Sequence, residues 1–156
     1  MADISVPAVW TGLRERLLLR PPLAGVPVYL IDRGSWTDPE AVVLPQISMT
    51  GARWLGWGAG YGTVEPLVLA GYLFVGVAGN DPVADKAALV RAGVMLGEVV
   101  QQLRDDPTVG GALVAPVRLE PPKLDSALWD TWRTEQQGTA VIRVRVNFRI
   151  VWQAVS

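Results

Sequence analysis

The run TAVIRVRVNFRIVWQ near the C-terminus alternates so regularly that it admits one local structure. Val144, Val146, Phe148 and Ile150 fall on one side of an extended chain, and Arg143, Arg145, Asn147 and Arg149 on the other. A helix would scatter these residues around its axis, whereas a strand sorts them by face. The apolar face requires a covering layer. The other face is a row of positive charge. Such a row serves a solvated strand as protection against edge aggregation, and it also suits phosphate or the acidic side chains of a neighbour. Neither aromatic interleaving nor a nucleic-acid motif accompanies it, so the sequence does not support base-specific readout.

The segment from Pro82 to Asp105 supplies the cover. Asp81 is placed as an N-cap, Pro82 suits the first helical position, and Leu89, Ala92, Leu96, Val99, Val100 and Leu103 form one apolar face. Arg91, Glu98, Gln101 and Gln102 are expected on the opposite side. The helix ends in DDPTVGG. Asp105 and Asp106 are adjacent, so on a helix they point about 100° apart and do not converge for acid–base work. Acids at a helix C-terminus oppose the macrodipole, so neutralising them is expected to be neutral or stabilising by up to about 1 kcal/mol. Pro107 stops the helix, Gly110 and Gly111 permit a turn, and a strand is expected over residues 112–120.

Upstream, residues 7–19 read as a helix with Val9, Leu13 and Leu17 on one stripe, ended by Pro21 and Pro22. A strand is expected over residues 26–31, then a polar connection, SWTDPEAVV. Extended segments over 44–57 and 65–78, joined by GWGAGYG, predict a long hairpin. Gly56, Gly58, Gly60 and Gly62 do not make a phosphate loop, because no helix follows and no Lys is near. The run PLVLAGYLFVGVAGN is too short to span a bilayer as a helix and suits a buried strand. Residues 121–138 contain LDSALWDTW, where Leu128, Trp129 and Trp132 would line one side of a short helix. These tryptophans either close the bottom of the core or anchor a partner.

The order is helix, strand, hairpin, helix, strand, short helix, strand. It predicts one α+β domain with a mostly antiparallel sheet and helices packed on it. The 156-residue chain is long enough for a real core, and its formal net charge of −1 gives no global attraction to nucleic acid or anionic membrane. It contains no histidine and no cysteine, which removes disulfides, imidazole and thiolate metal ligands, and Ser-His or Cys-His catalysis. Without converging carboxylates either, the chain has little catalytic chemistry to offer, and no metal ligand set is expected. The start, MADISVPAVW, lacks the pattern of a signal peptide, so synthesis in the cytoplasm without membrane association is expected.

From Tyr72 to Trp152 the chain resembles the tail terminator and tail completion proteins of long-tailed bacteriophages. The likeness lies in YLFVGVAGNDPVADKAALVRAGVMLGEVVQQLRDDPTVGGALVAPVRLEP followed by VIRVRVNFRIVW. In that family a strand enters a helix ending in an L-x-x-D-P-x-x-G-G-like turn, followed by a strand, a variable insertion and a final strand. The resemblance implies a structural virion protein that caps the tail tube as a homo-oligomeric ring, commonly a hexamer, and offers a docking surface to the head connector. It implies no catalytic residue and no cofactor, and only non-specific contact with passing DNA. Trp54, Trp57, Tyr61, Trp129 and Trp132 are the expected interface aromatics, and Arg143, Arg145 and Arg149 face a neighbouring subunit or the channel. Another neck component, such as a connector or stopper, fits the same class. From a different class, a small enzyme or ligand-binding domain would draw on Asp105, Asp106, Glu120 or Tyr61 near the glycine loop.

Overall fold

The computed structural model describes residues 6–34, 37–49, 65–110, 118–119 and 121–155. Its elements in chain order are α1 (Val6–Leu18), a single 3-10 turn (Pro21–Leu23), β1 (Val28–Tyr29), β2 (Glu40–Met49) and β3 (Glu65–Ala78). There follow α2 (Pro82–Asp105), β4 (Arg118–Leu119), β5 (Lys123–Gln136) and β6 (Thr139–Val155). The strands form a sheet in the order β1-β2-β3-β6, and both β5 and β4 pair with the far side of β6. The β1–β2 pair is parallel and every other pair is antiparallel. This is the expected α+β architecture.

β6 takes the centre because its alternation is matched by β3. Val144, Val146 and Ile150 lie opposite Val75, Leu73 and Leu69, all buried. α1 and α2 cover this side of the sheet, where Val9, Leu13 and Leu17 meet Met95, Val99 and Leu103. α2 starts as the sequence predicts: the Ala84 amide donates to Asp81 Oδ1 at 2.9 Å, and Pro82 occupies the first turn. The β2–β3 pairing bears out the hairpin. Its tip, with Trp54, Trp57 and Tyr61, lies outside the described residues.

Several boundaries differ from the sequence reading. The strand expected over 26–31 contracts to Val28–Tyr29, since Gly25 at φ +78° turns the chain before it and Ile31 is already exposed. Pro27 has no N–H to give, but its carbonyl accepts from the Val42 amide at 3.0 Å and starts the parallel pairing. β2 begins at Glu40, inside what reads as a polar connection, because Ala41 and Val43 are drawn into a small apolar cluster with Tyr72 and Phe74 on the open side of the sheet. Leu89, expected in the core face of α2, is 42% exposed, whereas Gln102, expected outward, is buried and its Oε1 accepts from Arg20 at 3.1 Å. Of the strand expected over 112–120, Arg118–Leu119 is strand, and the rest falls outside the described residues.

Pro45 puts an irregularity into β2, where the register with β3 shifts between Val43 and Gln46. Gly71 lies across from it, and a Cβ there would overlap the Val43 carbonyl oxygen. The Leu44 carbonyl at the same irregularity accepts from the Trp10 indole at 2.6 Å, which fixes α1 on the sheet.

Candidate functional site

Residues 105–110 of the DDPTVGG stretch form a joint. The Asp106 amide donates to the Gln102 carbonyl to close the helix, and the Val109 amide donates back to the Asp106 carbonyl. Val109 and Gly110 then take left-handed conformations at φ 51° and 65°. Val109 stays buried against Gly12 of α1. The two aspartates serve different arginines of α1 and the residues after it. Asp106 pairs with Arg16 at 2.7 Å and Asp105 with Arg20 at 3.3 Å, while Arg20 also pairs with Glu98. A hydrogen bond from Gln101 and then the Arg20 guanidinium hold the Asp105 carboxyl below its ordinary value. The expectation that these acids merely oppose the dipole therefore gives way: each carries an ion pair that offsets the repulsion. Glu120 and Tyr61, the remaining candidates for an enzymatic reading, lie outside the described residues.

β5 departs furthest from the sequence reading. LDSALWDTW is strand and not helix, and the tryptophans do not close the core. The reversal at Gln137–Gly138, with φ 54° and 77°, is a two-residue hairpin turn joining Gln136 to its partner Thr139, and it zips β5 along β6. Trp129 lies opposite Val146 and Trp132 opposite Arg143, so the two rings stand on opposite faces of the sheet. Trp129 leans toward α2, where a Cβ built on Gly93 would lie 3.9 Å from its ring. All fourteen residues of β5 are exposed or nearly so, including Leu124, Leu128, Trp129 and Trp132, and among the described residues its outer edge pairs with no strand. Charges at Lys123, Asp125 and Asp130 and a register shift between Leu124 and Ser126 are the protections usual for such an edge.

The arginine row stands on the open face. Arg145 lies over the Tyr72 ring at 3.9 Å and its Nε donates to Asn147 Oδ1 at 3.3 Å. Arg143 donates to Thr134 Oγ1 and Gln136 Oε1, each at 3.2 Å. Arg149 is within 3.6 Å of Asp125, both half exposed. Among the described residues no carboxylate comes within ion-pair distance of Arg143 or Arg145. Trp132, Tyr72 and Phe74 join these two arginines around a hollow of about 340 Å³. Tyr72 is anchored from above: its hydroxyl donates to Asp32 Oδ1 at 2.8 Å, which also accepts from the Gly34 amide at 2.9 Å. Those two donors, the amide first, hold the Asp32 carboxyl below its ordinary value. Beside it the Tyr29 hydroxyl donates to Asp38 Oδ2 at 2.8 Å, which raises the phenol.

On the opposite side of the sheet, α2 turns apolar residues outward. Leu89, Val90 and Val94 are 42%, 57% and 42% exposed. α2 packs across β3 and β6, which leaves β5 beyond its shadow and a groove between them. Sequence reasoning missed this surface because it assigned α2 a polar outer side. The run V-R-A-G-V, with Val90, Gly93 and Val94, was the available signal. Among the described residues no three His, Cys, Asp or Glu side chains group to hold a metal ion, and no helix is long and apolar enough to cross a membrane. Comparison with protein-family models finds no match, and comparison with curated proteins finds no relative.

Proposed function

We propose that the chain is a ring-forming structural subunit of a phage tail, of the tail-terminator kind, which caps the tube and presents a surface to the head connector. The observation that carries this reading is β5: a fourteen-residue strand at the sheet edge, exposed on both faces, that bears two tryptophans and two leucines. A lone monomer leaves such an edge and its aromatics to water, whereas an assembling subunit buries them. The order β3, α2, DDPTVGG turn and closing β6 agrees with the order that the resemblance implies. Arg143 and Arg145 fit a subunit boundary better than a DNA channel. They stand within a mixed-charge face that also holds Asp32, Asp125 and Asp130, and a neighbour's carboxylate would complete them.

The test is assembly. Reversal of Arg143 and Arg145 to Glu is expected to abolish rings on tail tubes while the circular dichroism spectrum stays that of the parent chain. Intact rings that lose only DNA passage would transfer the row to the channel. Intact rings with normal infectivity would remove it from function.

A further inference from the structure

We propose that the groove between α2 and β5 receives the aromatic segment 50–64 of a neighbouring copy, so that subunits join head to tail. The proposal rests on the ring reading above and names its contact. The groove encloses about 350 Å³. Ile142 and Val144 form its floor, Asp85 and Leu89 one wall, and Thr131 and Arg133 the other. Its apolar floor is continuous with the core, and Leu89 stands at its rim.

Chain length determines which copy fills it. Segment 50–64 carries Trp54, Trp57 and Tyr61 with one charge, Arg53, and it is rooted at Met49 and Glu65. Those roots lie at one end of the sheet. The groove lies toward the other end, because Val144 pairs with Val75 and Ile142 with Val77. Glu65 and Val75 are ten residues apart on β3, a separation of ~33 Å at ~3.3 Å per residue. Trp57 is eight residues from Glu65, so a fully stretched chain carries it at most ~28 Å at ~3.5 Å per residue. Tyr61 is closer to that root, and Trp54 is closer to Met49, five residues or at most ~18 Å away, against the ~26 Å from the level of Leu67 to Val75. The groove floor also lies on β6, one strand to the side of β3, roughly 5 Å further. These spans leave the backbone of the segment short of the groove of its own chain, so the aromatic that fills it comes from a second copy.

The groove walls carry one charge of each sign, Asp85 and Arg133, so Arg53 would enter on the Asp85 side. Donor and receiver are different surfaces of one chain. A contact of that kind is heterologous, so it propagates and closes into a ring when the rotation allows.

Two variants test it, each measured alone and mixed by native mass spectrometry and on tail tubes. Leu89→Glu closes the groove and leaves the segment intact; Trp57→Ser disarms the segment and leaves the groove intact. Each alone is expected to lose assembly with an unchanged circular dichroism spectrum. Mixed in equal amounts they are expected to form dimers and nothing larger, since one intact segment then meets one intact groove. Should Leu89→Glu perturb folding, Thr131→Glu closes the groove from the exposed β5 wall. Variants that assemble as the parent does, or a mixture that stays monomeric while the parent assembles, overturn the head-to-tail contact and leave the ring reading standing. A parent chain that stays monomeric, alone and on tail tubes, overturns both.

Discussion

Replacing Gly110 by Ala tests the joint between the two helices. Gly110 holds φ 65°, and a Cβ there would overlap the Arg16 guanidinium, which passes over it to reach Asp106. The left-handed backbone alone costs a non-glycine residue about 1 to 2 kcal/mol. Displacing Arg16 also breaks its ion pair with Asp106. That pair is about a third exposed on the arginine side, so screening limits its contribution to at most about 1 kcal/mol. Gly110→Ala should therefore cost about 2 kcal/mol in the parent chain. In an Arg16→Ala background the overlap is gone, and the same change should cost about 1 kcal/mol, the backbone strain alone. Urea unfolding of the four proteins in this cycle reads both numbers. Equal costs in the two backgrounds would refute the passage of Arg16 over Gly110 as the reason for glycine.

Trp10→Phe keeps an aromatic ring on the sheet but leaves the Leu44 carbonyl without its indole donor, and urea unfolding should show a loss of about 1 to 2 kcal/mol. Gly71→Ala forces β2 and β3 apart at the Val43 carbonyl, and the thermal midpoint should fall by more than that of Gly97→Ala, whose added methyl meets open space. Asp32 and Asp105 have carboxyls held below their ordinary values, so their contribution is present above the ordinary carboxylate range of about 4 and is lost as pH falls through the depressed values. Tyr29 acts in the opposite direction, since its raised phenol contributes below about 10 and the contribution is lost as pH rises through the raised value. Thermal melts from pH 2 to pH 11 should therefore decline at both ends, with Asp32→Asn flattening the acid limb and Tyr29→Phe the alkaline one.

The parts legible in the sequence are those where burial imposes a period. β6 and β3 alternate because one face meets the helices, and α2 announces its start through Asp81 and Pro82. β5 has no such imprint. Exposed on both faces, it shows no alternation of burial, and Leu128, Trp129 and Trp132 fall by accident at helical spacing. The signal available was the turn, since Gln137–Gly138 lies between two runs that pair in unbroken register from Ser126 to Gln136. Gln102 read as solvent-facing because its partner, Arg20, comes from 82 positions away. Comparable separations, 85 and 90 positions, hid the role of Asp105 and Asp106: adjacent acids suggest repulsion until Arg16 and Arg20 are folded onto them. Of the interface residues expected, Trp129 and Trp132 belong to one strand but opposite faces, and Arg143 and Arg145 share the hollow with Trp132.

The ring reading is tested most directly by imaging tail tubes mixed with the purified protein and measuring the mass of what is bound at their ends. A closed hexameric ring at one tube end, absent when Leu128 and Trp129 of β5 are both replaced by Lys, is the predicted result. Bare tube ends, with a chain that remains monomeric at every concentration tried, would contradict it.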